Sequence, residues 1–251
     1  VRVVVGAAIT AVEATAGAKA IRLDRDGPGA RIEVDEILVG VGRAPNVEGL
    51  DLEAAGVAYD TRRGVYVDDR LRTSNRRIYA AGDICSAAKF THTAEAQARI
   101  VLANALFRGR ARASRLVVPW CIYTDPEVAH VGLDEAEARR RGLAVRTFTQ
   151  PLAEVDRAVL DGEAEGYARI VAAARGDRIL GATVVARHAG EMISEITALM
   201  VAGKGLATLS KTIHPYPTQA EVWRRLGDAY LRSRLTPRAG RWIRRWLAWT
   251  R

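Results

Sequence analysis

Cysteine, lysine and long apolar runs are scarce in this chain of 251 residues, and each scarcity excludes something. The two cysteines, Cys85 and Cys121, lie far apart and form neither a CxxC pair nor a zinc-ligand spacing. They provide no disulfide framework, and such usage is compatible with a reducing cytoplasm, the expected location. No run approaches the roughly 18–20 apolar residues of a membrane span. The opening VRVVVGAAITAVE reads as a strand already in progress, not as a secretory signal. Internal repeats and low-complexity segments are also lacking. Only four lysines occur (Lys19, Lys89, Lys204, Lys211), so the basic residues are almost all arginine.

Composition is otherwise ordinary for a globular protein, with 49% apolar and 27% charged residues. The formal net charge of +9 is uneven: residues 224–251 hold nine arginines and one acid, Asp228, which leaves the body near +1. Evenly spread positive charge would fit a nucleic-acid binder. This distribution instead describes a basic tail on a nearly neutral protein, with no nucleic-acid partner expected.

Residues 1–42 are short apolar alternations (VRVVV, ITAVEA, KAIRL, RIEV, EILVGVG) with a DRDGPG turn, which predicts an antiparallel meander ending in a buried strand at Glu36–Val41. The loop GRAPNVEG follows. Residues 50–83 read as a short helical piece (LDLEAAG), a strand near Val65–Val67 and another at Arg77–Ala81. A helix is expected over 93–107, and the basic stretch RGRARASR at 108–115 is the expected domain boundary. From 116 the pattern changes to α+β. Strands are expected at 117–123, 127–132, 145–149, 167–172 and 179–185, with a helix capped by Asp134 and helices near 189–202, 206–210 and 218–230.

Two stretches could carry chemistry. IYAAGD, residues 78–83, is a strand running into Gly82-Asp83, which puts a carboxylate at the edge where α/β sheets bind ligands. The glycine allows close backbone approach; the alternative is a strand-ending turn with a solvated Asp83. HPYPTQAE, residues 214–221, gathers a histidine, a tyrosine and a glutamate around two prolines. It is either a proton-moving site or a Pro-rich turn into a helix.

The ordered set GVGRAPN, LRTSNRRIYAAGD, KFTHTAEAQ, YTDPEVAHVG and HPYPTQAE resembles the flavin-dependent pyridine nucleotide-disulfide oxidoreductases, of the lipoamide dehydrogenase and mercuric reductase kind, over about residues 1–231. The resemblance implies α/β and α+β classes together: the C-terminal part of a two-dinucleotide-domain flavoprotein plus an α+β dimerisation domain. Residues 1–42 would end an NAD(P)-binding domain, 43–115 would return to an FAD-binding domain, 116–231 would form the dimer interface, and 232–251 would be the tail. FAD and NAD(P)H are the implied cofactors, and a homodimer the implied assembly. A small-molecule, disulfide or metal-ion electron acceptor is the implied partner.

The same resemblance assigns roles. Asp83, beside Gly82, would hold the ribityl part of FAD. Lys89, Phe90, Thr91 and His92 would lie along the flavin at a helix N-terminus, whose free N–H groups and positive dipole end suit an electron-rich edge. Gly42 would border the nicotinamide nucleotide. In the family, HPYPTQAE completes the partner subunit's active site, where the usual pattern is His-Pro-Thr-x-x-Glu. Aligned on Pro217-Thr218 and Glu221, the catalytic position here is Tyr216, with Glu221 as its expected support and His214 as a neighbour. A phenol with a pKa near ~10 is a poor proton shuttle for thiols, but a reasonable hydrogen-bond donor or weak ligand near a metal thiolate. Tyrosine there favours the mercuric reductase-like subgroup, although the vicinal C-terminal cysteines of that enzyme are lacking in WLAWTR.

Neither GxGxxG fingerprint nor the family's redox cysteine pair occurs in these residues. The chain alone is therefore expected to be inactive in the dithiol step and colourless or weakly coloured with flavin. Cys85 and Cys121 read as small buried apolar residues.

In the tail, Trp242, Trp246 and Trp249 recur at helical spacing opposite Arg241, Arg244 and Arg245, after a Thr236-Pro237 start. That is a basic amphipathic helix. Residues 236–251 either contact an anionic membrane surface or pack their tryptophans on the protein itself. Two function classes remain at this point: part of an oxidoreductase, or a non-catalytic dimerisation module peripheral to a membrane.

Overall fold

The computed structural model describes residues 1–15, 17–27 and 29–250. Pro28 of the DRDGPG turn and the terminal Arg251 of the tail lie outside the described residues. The chain divides into two compact units, Val1–Pro45 and Asn46–Arg251.

The first unit is an antiparallel sheet in the order β1-β2-β3, from Ile9–Thr15, Ala18–Leu23 and Arg31–Val34. Ala20, in the central strand, is fully buried. The expected strands at 1–5 and Glu36–Val41 do not form. Val1, Val3, Val5, Leu38, Val39 and Val41 are instead exposed. Alternation marks a segment able to enter a sheet, but a strand also needs a neighbour for its N–H and C=O groups. Among the described residues neither segment has one.

The second unit begins with residues folded around Val47, Val57 and Val65, with Ile78, Ile84 and Cys85 packed on them. LDLEAAG forms consecutive turns rather than a helix. Its bonds run from Ala55 N to Asp51 O and Val57 N to Leu52 O, and Gly56 reverses the chain at φ +67°. The strand expected at Val65–Val67 is the short pair β4 (Tyr59–Asp60) and β5 (Gly64–Val65). That at Arg77–Ala81 is only a bridge between Arg72 and Tyr79. Helix α1 runs over Thr91–Leu106. The basic stretch after it is tied back: the Asp69 carboxylate accepts from Ser114 N at 2.8 Å and Ser114 Oγ at 2.9 Å.

A five-stranded antiparallel sheet follows, in the order β6-β7-β10-β9-β8. Its strands are β6 (Pro119–Ile122), β7 (Glu127–Gly132), β8 (Val145–Pro151), β9 (Tyr167–Ala173) and β10 (Ile179–Ala186). Short helices α2 (Glu135–Arg140) and α3 (Asp156–Leu160) lie between strands; Asp134 caps α2 by accepting from Glu137 N, as its sequence implies. Helices α4 (Ala189–Val201), α5 (Leu206–Lys211), α6 (Glu221–Ser233) and α7 (Pro237–Trp249) close the chain.

Strand alternation puts Ala129, Val131, Ala168, Ile170, Ala182 and Val184 into one core with residues of α4, α5 and α6. Val222, Trp223, Leu226 and Tyr230 of α6 are buried at helical spacing, and the Trp223 indole donates to Met192 O at 3.2 Å. A Cβ at Gly227 would stand 2.5 Å from Ser210 N, so only glycine lets α5 and α6 approach this closely. On the opposite face of the sheet, His130 bonds Thr183 at 2.8 Å and Arg169 bonds Thr149 at 3.0 Å.

Candidate functional site

Gly82 and the start of α1 form the first cluster. Gly82 is buried, has φ +83°, and donates its N–H to Gln97 Oε1 at 2.7 Å. A Cβ there would meet the Ala94 Cβ at 3.0 Å. Residue size and backbone sign thus both require glycine where this turn meets the helix. Helix α1 begins at Thr91, two residues before the expected Thr93, with Phe90 as an extended N-cap. No side chain caps it and no acid lies in its first turn. The early N–H groups are left for another partner, in a field that favours negative charge.

Thr93 is 2% exposed, and its Oγ1 has no hydrogen-bond partner. The Phe90 and His92 rings stack at 5.2 Å and 8°, and His92 Nε2 bonds Pro119 O at 2.8 Å, joining the helix start to β6. Asp83, Lys89 and Phe90 are half-buried, while Thr91 and His92 are exposed. An uncapped helix start, an orphaned hydroxyl and a turn built for close approach fit the electron-rich edge of a flavin and its ribityl chain. Gly42 lies in the first unit, is exposed and has φ +109°; a Cβ there would meet nothing within 4 Å.

The second cluster is HPYPTQAE, which leads into α6. Tyr216 is 69% exposed and donates its phenolic hydrogen to Asp156 Oδ2, on α3, at 2.8 Å. That bond and the Asp156 charge push the phenol above its ordinary pKa, so the proton stays on. The second Asp156 oxygen receives Arg225 at 3.4 Å. Glu221 was expected to support Tyr216, but the hydroxyl goes to Asp156 instead. The Glu221 carboxylate is 6% exposed and takes Arg224 on one oxygen; the other, Oε2, has no partner. The reason is helical geometry: Glu221 opens α6, and Arg224 lies one turn further along the same face.

His214 is nearly buried, with its Nε2 3.1 and 3.2 Å from the Glu195 carboxylate oxygens on α4 and its Nδ1 3.2 Å from Thr212 O. Its ring is anchored inward while Tyr216 faces outward. Ile213 beside it is 92% exposed, as are Val159 (54%) and Leu160 (72%) on the helix that carries Asp156.

Asp156 and Glu195 were not singled out by sequence. Asp156 stands 60 residues and Glu195 19 residues from its partner, in segments with no motif of their own. Both thiols are half-buried, less covered than expected; burial pushes Cys85 up to about 11, and burial together with Glu127 raises Cys121. Among the described residues no group of three or more His, Cys, Asp and Glu is placed to hold a metal ion.

Residues 118–226 match the family model described as pyridine nucleotide-disulphide oxidoreductase, dimerisation domain, and residues 1–98 match that described as pyridine nucleotide-disulphide oxidoreductase. A mercuric reductase of Bacillus cereus is 35% identical over 221 residues, covering 88% of this chain and 35% of that protein. A dihydrolipoyl dehydrogenase of Thermus scotoductus is 40% identical over 195 residues, covering 78% of this chain and 42% of that protein. Among solved structures, LpdA from Mycobacterium tuberculosis matches with a TM-score of 0.82 at 27% identity, over 89% of this chain and 48% of that one. The HOCl-induced flavoprotein disulfide reductase RclA from Escherichia coli matches at 0.79 and 27%, over 88% and 50%. The chain thus spans less than half the length of these two curated relatives.

Proposed function

Because the chain belongs to the pyridine nucleotide-disulphide oxidoreductase family, we propose that it is the flavin-returning and dimer-forming portion of an FAD-dependent NAD(P)H oxidoreductase. The type is disulfide reductase or mercuric reductase-like, and it works as a homodimer. The observation that carries this reading is the Gly82 turn set against the uncapped start of α1, with Thr93 Oγ1 buried and unpartnered beside it.

Bound FAD would supply electron transfer from NAD(P)H to a disulfide or metal-ion acceptor. Gly82 lets the backbone come close to the cofactor, and Asp83 binds a ribityl hydroxyl. The first N–H groups of α1 would serve the electron-rich part of the bound cofactor, the Thr93 hydroxyl would support that end of the helix, and Lys89, Phe90, Thr91 and His92 would line the same site. In the first unit, Gly42 borders the nicotinamide nucleotide.

Residues 116–231 present HPYPTQAE to a second copy, with exposed Ile213, Val159 and Leu160 as apolar surface around Tyr216. The phenol's single hydrogen is committed to Asp156, so its oxygen offers lone pairs outward. Tyr216 then acts as an acceptor or weak ligand toward the incoming group, and Asp156 holds its proton. His214 and Glu195 hold the loop rather than shuttle protons.

The test is made in the enzyme that carries this segment. Gly82→Val is expected to lose flavin absorbance while the protein remains dimeric by sedimentation. Full flavin content would remove the first cluster from the flavin site. Tyr216→Phe is expected to keep flavin but lower turnover with disulfide or mercuric acceptors; unchanged turnover with both would reduce Tyr216 to packing.

A further inference from the structure

Helix α7 lies beyond the matched dimerisation domain, which ends at residue 226. Its apolar side is open to solvent: Trp242 is 79%, Trp246 60% and Trp249 85% exposed, with Ile243 at 44% and Leu247 at 41%. In α6, by contrast, Val222, Trp223, Leu226 and Tyr230 are all at 3% or less. The expectation that the α7 tryptophans pack on the chain's own domain is therefore not met within one copy. At 3.6 residues per turn the three tryptophans fall within an arc of about 60°, and Ile243 and Leu247 widen that side. The remaining side carries Arg241, Arg244 and Arg245, all exposed. Residues 229–251 contain seven arginines and no acid.

This pattern names its partner's chemistry. Tryptophan settles at the boundary between lipid headgroups and acyl chains, and the guanidinium fork matches phosphate. A 13-residue helix is roughly 20 Å long, shorter than the ~30 Å hydrocarbon core, so it lies in the plane of the surface instead of crossing it. Among the described residues no helix is long and apolar enough to span a membrane.

We infer that α7 docks this chain on the surface of an anionic phospholipid membrane, with Trp242, Trp246 and Trp249 at the acyl boundary and Arg241, Arg244 and Arg245 on lipid phosphates. The inference goes beyond the oxidoreductase reading and does not depend on it, because none of these residues belongs to the flavin or acceptor clusters. Its consequence is a protein held at the membrane surface.

The test is co-sedimentation of the 251-residue chain with vesicles of phosphatidylglycerol and phosphatidylcholine, and with vesicles of phosphatidylcholine alone. Salt is raised from about 0.1 M to about 0.5 M, where the screening length falls by about half. Binding is expected to the anionic vesicles, several-fold weaker at high salt and on neutral vesicles, with a blue shift of tryptophan fluorescence. The triple variant Trp242→Ser, Trp246→Ser, Trp249→Ser should lose at least tenfold in partitioning, as should Arg241→Glu, Arg244→Glu, Arg245→Glu. Because these side chains are exposed, both variants should keep the parent's circular dichroism and unfolding midpoint. Failure of the parent chain to bind anionic vesicles would overturn the inference, as would equal binding by the tryptophan variant. A tryptophan variant that changes oligomeric state in sedimentation velocity, with no vesicle binding by the parent, would assign the surface to a second copy and also overturn it.

Discussion

The Tyr216 hydroxyl donates a 2.8 Å hydrogen bond to Asp156, a residue on helix α3 and 60 positions away. This exposed tyrosine is thereby oriented by a carboxylate outside its own motif. Asp156→Asn removes the negative charge but preserves shape. The phenol's titration, followed by ultraviolet difference absorbance, should then move down toward the ordinary value near ~10. The sign follows from the cause: an anionic neighbour disfavours phenolate, so its removal eases ionisation. An unchanged titration would mean the two side chains are apart in solution.

Gly82→Ala should destabilise the chain by about 1–3 kcal/mol, because a positive φ is forced on a residue with a Cβ. The added carbon would also stand 3.0 Å from the Ala94 Cβ. Urea unfolding checks this; a loss below the range would show that the turn can relax away from α1.

Glu195→Ala should free the loop that presents Tyr216. It leaves the His214 Nε2, in a side chain only 5% exposed, without its partner. A buried polar group left unpaired costs about 1–3 kcal/mol. Amide exchange over residues 212–218 should accelerate while the strands of the five-stranded sheet stay protected. Unaltered exchange would mean the turn does not depend on the His214–Glu195 contact.

Cys85 should resist alkylation in the folded chain. With its pKa pushed up to about 11 by burial, the thiolate fraction at pH 8 is about 0.1%. The folded state favours the thiol, so its contribution to stability is fully present below the ordinary thiol range and is lost as pH rises through about 11. Iodoacetamide should modify Cys85 slowly at pH 8 and at the rate of a free thiol after unfolding. Equal rates in both states would contradict the burial.

Much of the second unit was legible from local pattern. Alternation located β6 to β10, and helical period located α1, α4, α5, α6 and α7 to within a few residues. Asp134 announced its helix because a cap is a contact three residues long. The failures were segments whose structure depends on what covers them. Leu38, Val39 and Val41 carry a strand pattern but, among the described residues, have no neighbour to complete a sheet, and LDLEAAG has helical residues but only enough length for turns.

The site divides along the same line. The ordered motifs and the register through Pro217-Thr218 placed the emphasis on Gly82, Asp83 and Tyr216 because those signals lie within short stretches of chain. The partners did not follow: Tyr216 goes to Asp156, His214 to Glu195, and Glu221 to Arg224.

By itself, then, the sequence determined the family, the elements of the five-stranded domain and the amphipathic form of α7, since all of these are short-range patterns of residue type. Only the tertiary structure decided which carboxylate meets which side chain, that Thr93 is buried without a partner, and that the α7 tryptophans stay exposed. Hydrogen-bond partnership and burial depend on segments brought together from tens of residues apart, and no local periodicity encodes that distance.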